Sequence, residues 1–490
     1  MEKIFAWVLE RKDYEKLQLN DYFYSRPEII VPIKTIMRDL AWSRYRVLTT
    51  YELLVADLAK LQSKQQRPFY YDDELKAIIV NHNVILERYI LQKKYLDKSI
   101  VWQYLGELLA EQIVSLEDFA KRYLTSVPVV RAAKQLVDQH LADLDLHISK
   151  DNRLIGSENT IRSFYFGIVR IIKGPLMLAT PGQQFDSIVD ELFARLEKRI
   201  NNPLRQTNIL KLKLIISIWF LRIQKGNFLQ DRDVDYTFAS GVDSLYQTVA
   251  EITGELIANQ HIQLLEARYL TAALYASGVV SDGKIDIFDS AAQSKLLALR
   301  SILQESYHDF FKADFTLKQL MTLDEMIFAA HLRFLFFPYA RLISDNEEGS
   351  IIKALPIQSA FARYAINQIT VLSEDKAVSS YLPLLFNDYL VTFTYIIDEK
   401  VLPVVKIVLD FTDNQAMARL LRKQILNIQG LNIEIEEFLN ETTDIYVSDQ
   451  MLTWDKAIPA FLWASLPSDY AFSRFLNQVV TITKDKFIAE

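Results

Sequence analysis

Two stretches in the first 160 residues repeat one order of hydrophobic and polar positions: an amphipathic helix, a three-residue turn, a second amphipathic helix, then two short alternating segments. In the later copy, Ser115 followed by Glu117 and Asp118 starts a helix as a cap with acids in the first turn. Leu116, Phe119 and Ala120 give that helix its apolar face. Leu124-Thr125-Ser126 is the turn, Ser126 caps the next helix, and Pro128 is tolerated in its first turn. Val127, Val130, Leu136, Val137, Leu141 and Leu144 recur at helical spacing and predict its buried face. Leu146 to Ser149 alternate, and Lys150-Asp151-Asn152-Arg153 reads as the turn of a two-stranded wing. In the earlier copy Ser25-Arg26-Pro27-Glu28 opens a helix through Ile33, Ile36 and Leu40, with Ala41-Trp42-Ser43 as the turn. The next helix is expected to bury Val47, Tyr51, Leu54, Leu58 and Leu61, and Phe69-Tyr70-Tyr71, Asp72-Asp73 and Ala77 to Val80 to form the wing.

Each copy therefore reads as a winged helix-turn-helix, a shape whose second helix can lie in the DNA major groove with flanking cations on phosphates. The candidate DNA-binding residues are Ser43, Arg44, Tyr45, Arg46, Thr49 and Thr50 in the first copy. In the second they are Lys121, Arg122, Ser126, Arg131 and Lys134, with Lys150 and Arg153 in the wing. Between Lys121 and Lys134 there is no acidic residue. An ordinary helical hairpin with a solvated charged face is the bland alternative, and would make the chain a non-DNA-binding helical scaffold or interaction protein.

Asp118-Phe119-Ala120 leading into Leu124-Thr125-Ser126, the wing ending Leu154-Ile155-Gly156, and above all Gly156 to Tyr165 (GSENTIRSFY) carry a family likeness. Arg222-Ile223-Gln224-Lys225-Gly226-Asn227 adds a second signature. On these residues the chain resembles the Mga/AtxA family of Gram-positive transcriptional regulators. The resemblance implies control of virulence or carbohydrate-linked genes, a homodimer held partly by the C-terminal domain, and tuning by HPr of the phosphotransferase system. It also implies two helical phosphotransferase-system regulatory domains, in which histidines accept phosphate, and a C-terminal domain like enzyme IIB. Two positions depart from the pattern: Asn227 stands where some relatives carry His, and the helix around Tyr269 to Leu274 offers Ala273. The histidines left beyond the DNA-binding half are His261, His308 and His331, the candidate phospho-acceptors. His331, among Phe328, Phe334 and other apolar residues, also reads as a hydrogen-bonded core histidine.

The remaining pattern divides the chain as 1–82 and 83–165 for the two winged units, 166–282 and 283–388 for two helical domains, and 389–490 for an α/β domain. The helical segments expected in the middle are Phe185–Ile200, Asn208–Lys225, Val234–Ala258 and Ile262–Tyr275, with turns at Ser281 to Lys284 and Ser344 to Ser350. Pro403 to Phe411 is a nearly continuous apolar run, as in a buried parallel strand. Further strands at Leu431 to Ile435, Asp444 to Ser448 and Pro459 to Trp463 predict a four-stranded, mostly parallel sheet. The fold class is thus mainly α and multidomain, with a small α/β end. In enzyme IIB the loop after the first strand carries a phosphorylated Cys; here Phe411 to Gln415 has neither Cys nor Gly, which points to dimerisation or docking.

Composition narrows the function classes. With 490 residues, half of them hydrophobic, only 12 Gly and no Cys, a well-buried helical protein without disulfides or thiolate chemistry is expected. There is no Gly-rich phosphate loop, metalloprotease motif or nucleophile elbow, so neither an enzyme nor a cofactor or metal site is expected. No apolar run approaches ~18 residues, and Met1 to Trp7 lacks a signal-peptide core; a cytoplasmic protein without membrane contact is expected. Residues 1–170 carry a net charge of +2 and the remainder −9. A front so weakly charged calls for pairing of two copies or readout of DNA shape.

Overall fold

The computed structural model describes residues 3–26, 28–60, 68–81, 88–172, 182–200, 203–238, 244–280, 285–337, 355–372, 382–412, 415–450 and 458–489. The expectations placed on Pro27, Leu61, the turn at 281–284, the break at 344–350 and loop residues 413–414 fall outside them. The chain is mainly helical with a small C-terminal parallel sheet, and divides into two compact units. One comprises residues 1–280 and 336–344, the other 281–335 and 345–490. No helix among the described residues is long and apolar enough to cross a membrane.

The first unit begins with α1 (Lys3–Val8), α2 (Arg11–Tyr24), β1 (Ile30–Pro32), α3 (Ile33–Leu40), α4 (Arg44–Ala59), β2 (Phe69–Asp72) and β3 (Ala77–Val80). Here the expected helix from Ser25 is corrected. Ile30 to Pro32 is extended instead, because β-branched residues before a proline favour strand, and β1 pairs antiparallel with β3 in a sheet ordered β1-β3-β2. Helix α3 starts only at Ile33, and Ala41 in a left-handed conformation (φ 53°) ends it. Asp57 of α4 fastens this part together, accepting from Lys16 of α2 at 2.5 Å and, from the helix that follows β3, Lys94 at 2.8 Å and Tyr95 at 3.0 Å.

After α5 (Arg88–Lys98) and α6 (Ile100–Leu109) come α7 (Leu116–Arg122), α8 (Val127–Ala142), β4 (His147–Ile148) and β5 (Leu154–Ile155). The core face of α8 is Val130, Ala133, Val137 and Leu141, while Val127, Leu136 and Leu144 are only half-buried, at the edges of that stripe. Then follow α9 (Glu158–Ile172), α10 (Gln183–Glu197), α11 (Gln206–Gln224), α12 (Ser244–Leu256) and α13 (Gln260–Ala276). The expected helix from Val234 begins only at Ser244; Asp231–Asp233 is a 3-10 turn closed by reciprocal bonds between Gln230 and Asp233.

The second unit holds α14 (Ser290–Phe311), α15 (Leu317–Phe336) up to Leu335, and the helices Pro356–Leu372 and Leu382–Ile396. Its sheet is β6 (Val404–Asp410), β7 (Asn432–Glu436), β8 (Ile445–Ser448) and β9 (Ala460–Leu462), all parallel in the order β7-β6-β8-β9. The helices Gln415–Leu426 and Asp469–Ala489 cover it, burying Val405, Ile407, Leu421, Ile445, Phe475 and Val479 in one core.

Candidate nucleic-acid interface

Helix α7 is capped by Ser115, whose Oγ accepts from the Asp118 amide at 3.0 Å. The turn to α8 closes through Leu124, whose φ of 50° places it in the left-handed region. Ser126 stands at the N-cap of α8 in extended conformation, yet its hydroxyl makes no capping bond. The side chains of Lys121, Ser126, Arg131 and Lys150 are exposed, and none has a partner among the described residues. Arg153 is also exposed, 3.8 Å from Glu111. These five groups belong to the end of α7, the start of α8 and the wing, where Asp151 is exposed beside Lys150.

Two of the expected contact residues are engaged within the fold. Arg122 is committed to the fold: it forms a two-pronged pair with Glu107, itself 2 % exposed, and reaches Asp118 at 2.9 Å. Glu107 holds its guanidinium pKa well above the ordinary value. Lys134 stitches α8 to the wing, donating to the Ser149 carbonyl at 3.0 Å and to Asn152 Oδ1 at 2.8 Å. Its burial lowers its pKa. Asp138 completes the seam by accepting from the Ile148 amide at 2.7 Å.

The first winged unit offers less. Ser43 caps α4 through the Arg46 amide; Arg44 and Tyr45 are exposed and Thr49 is half-buried. Thr50, expected on the exposed face, is 4 % exposed, because it lies with Val47 and Leu54 on the core stripe. Arg46 stacks over Trp42 at 4.4 Å and pairs with Glu15 at 2.7 Å. The wing turn carries Asp72, Asp73 and Glu74 against Lys76, which is paired with Asp73 at 2.8 Å.

A buried charged cluster joins α9, which follows the second winged helix-turn-helix, to α11 and α13. Glu158 accepts from Arg162 at 2.9 Å and, with both oxygens, from Arg222 at 2.9 and 2.8 Å. Arg162 reaches Glu266 at 2.6 and 3.0 Å. Trp219 Nε1 and the Leu229 amide donate to the same carboxylate at 2.9 and 3.0 Å. Asn227 donates to Glu111 at 2.7 Å, and its carbonyl accepts from Arg162. The two signature segments at Gly156 and Arg222 thus meet in one network. Gly156 (φ 150°) is required there, since a Cβ would run into the Leu146 side chain.

Residues 86–168 match the Mga helix-turn-helix domain. That span holds α7, α8, the wing and the first part of α9, to residue 168, and the match supports a DNA-binding regulator of the Mga type. No curated protein matches the chain.

The three candidate phospho-acceptors fall outside the matched residues in sequence. His261, in the first turn of α13, is exposed and 3.0 Å from Asp231; His308, near the end of α14, is exposed and 2.9 Å from Asp314. His331, by contrast, is 3 % exposed, its Nε2 is 2.8 Å from the Tyr389 hydroxyl, and burial, helped by Arg333, pushes its pKa down to about 3, as for the core histidine that was the other expectation. No metal-binding cluster of His or acids exists among the described residues. Sequence reasoning missed β1, Glu107 and Glu266, whose partners are distant in the chain.

Proposed function

We propose that this chain is a transcriptional regulator of the Mga type that binds duplex DNA chiefly through its second winged helix-turn-helix. The observation that carries the reading is the start of α8, with Ser126 and Arg131 unpartnered and Lys121, Lys150 and Arg153 around them. An α-helix with such a surface can enter the major groove while the flanking cations rest on phosphates. The first winged unit, with Arg46 held by Glu15 and an acidic wing, adds Arg44 and Tyr45 at most. Binding of the full chain to duplex DNA, titrated at several salt concentrations, tests this. Each phosphate-contacting cation removed from Lys121, Arg131 or Lys150 should flatten the salt slope by about one. A triple Ala variant that binds like the wild type would end the reading.

Twofold pairing would double the contacts and compensate for the weak charge of the front. Exposed Phe438, Leu462, Leu466 and Tyr470 on the α/β part support a homodimer through that region, and Phe438→Glu with Tyr470→Glu should lower the mass seen by light scattering. Of the histidines, His261 and His308 are open to phosphorylation by HPr. Acid-labile label on either, after incubation with Enzyme I, HPr and labelled phosphoenolpyruvate, would establish it. Control of virulence or carbohydrate-linked genes belongs to the same reading.

A further inference from the structure

Helix α8 has three sides with different duties. Val130, Ala133, Val137 and Leu141 are its core side. Lys134 and Asp138 form the side stitched to the wing. Pro128, Ala132, Gln135 and Gln139 lie at i, i+4, i+7 and i+11 on the side opposite the core, all exposed, with Arg131 between them and the wing. On this outward side Gln135 is the long side chain nearest the helix start, and it has no partner among the described residues.

A glutamine amide presents one donor and one acceptor side by side, the complement of adenine N7 and N6 in the major groove. Being neutral, it gains less from phosphate than a cation does, while its paired donor and acceptor suit a base edge. Ala132, three residues earlier and exposed, is small enough to let the helix approach and offers a methyl for contact with thymine C5-methyl. The first winged unit supplies an internal contrast. Helix α4 has the same 16-residue length as α8, and Glu52 stands nine positions after its cap Ser43, as Gln135 does after Ser126. A carboxylate there can only accept, which suits cytosine N4 and repels phosphate.

We propose that Gln135 is a specificity-determining residue that selects adenine, with Ala132 favouring a thymine nearby. The inference rests on the second winged helix being the DNA-contacting unit. The test selects full-length wild-type, Gln135→Ala, Gln135→Glu and Ala132→Gly chains against duplexes with a randomised core, and measures their salt-dependent binding to unselected DNA. The wild type should enrich a fixed adenine. Gln135→Ala should reduce that preference about tenfold and Ala132→Gly should relax a neighbouring thymine, both with little change in unselected binding, whereas Gln135→Glu should shift the preference to cytosine and, by its added charge, also weaken unselected binding. If unselected DNA is bound but the Gln135 variants keep the wild-type sequence preference, Gln135 does not read bases while the DNA-binding function stands. If the wild type binds no duplex even at low salt, the proposed function fails and this inference with it.

Discussion

Replacing Glu266 by Gln tests the buried cluster that joins the two signature segments. Glu266 is 0 % exposed and its carboxylate accepts four hydrogen bonds, two from Arg162, one from Trp219 and one from the Leu229 amide. The amide keeps the shape, removes the charge, and turns an acceptor into a donor that must face another donor. Arg162, 1 % exposed, keeps one oxygen of Glu158 and the Asn227 carbonyl, and Glu158 is shared with Arg222. Removing one partner of a buried pair costs about 3–5 kcal/mol because a charge is left without compensation. Three kcal/mol corresponds to opening of the surrounding helices roughly a hundredfold more often.

Amide hydrogen exchange over α9 and α11 in the full chain reads that opening directly, whereas a melting temperature would average over the units. Glu255→Gln is the control: it breaks a two-pronged pair with Arg195 that lies at the surface, where such pairs contribute little, and should leave exchange in α9 unchanged. If Glu266→Gln also left α9 and α11 protected as in the wild type, the cluster would not be holding these helices together. Because none of the outward groups of α8 touches Glu266, affinity for unselected DNA should fall far less than the stability does.

Arg131→Ala should weaken DNA binding with the fold intact, whereas Arg122→Ala should destabilise the second winged unit by roughly 1–3 kcal/mol, since the buried Glu107 carboxylate would keep only the Tyr123 hydroxyl; paired urea and DNA titrations separate the two. Gly156→Ala should cost more than the ~1 kcal/mol of an ordinary glycine substitution, because both φ and the Leu146 side chain oppose a Cβ, and thermal unfolding should show it. Burial alone would raise the Asp57 pKa, but the bonds from Lys16 and Lys94 prevail and hold it well below its ordinary value. Its contribution is therefore complete above the unfolded carboxylate pKa of about 4 and is lost as pH falls through the lower folded value. Exchange in α4 should accelerate below about pH 4 in the wild type, and Asp57→Asn should start faster and respond less to pH.

The helices and strands that pack one continuous apolar stripe were legible from periodicity alone, as α7, α8 and β6 show. What periodicity hides is competition for the same residue. Arg122 and Arg46 carry the charge and position expected of phosphate contacts, but Glu107 and Glu15 lie elsewhere in the chain and take them first. Lys134 is drawn to the wing for the same reason. Strand β1 was hidden because Ile29 to Ile33 fits helix and strand spacing equally well, and only pairing with β3 decides between them. Among the candidate histidines, the aromatic surroundings of His331 already pointed to the core, while nothing local foretold the carboxylates facing His261 and His308.

The two winged units show how far one skeleton can diverge in surface chemistry. Both place a serine at the N-cap of a 16-residue helix and bury a stripe beginning four residues later, at Val47 and Val130. On the outward side, the first carries Glu52 and leads to a wing with Asp72, Asp73 and Glu74, and Arg44 lies within electrostatic reach of Asp73. The second carries Gln135 and leads to a wing with Lys150 and Arg153. A phosphate backbone repels the first set and accepts the second, so equal shape does not give equal affinity. Exchanging only these charges is then the decisive manipulation. Asp72→Asn with Asp73→Asn and Glu74→Gln should strengthen binding to unselected DNA and steepen its salt dependence if the first wing lies near the duplex. If it points away, the triple variant should titrate like the wild type, and the second unit must account for the whole electrostatic footprint.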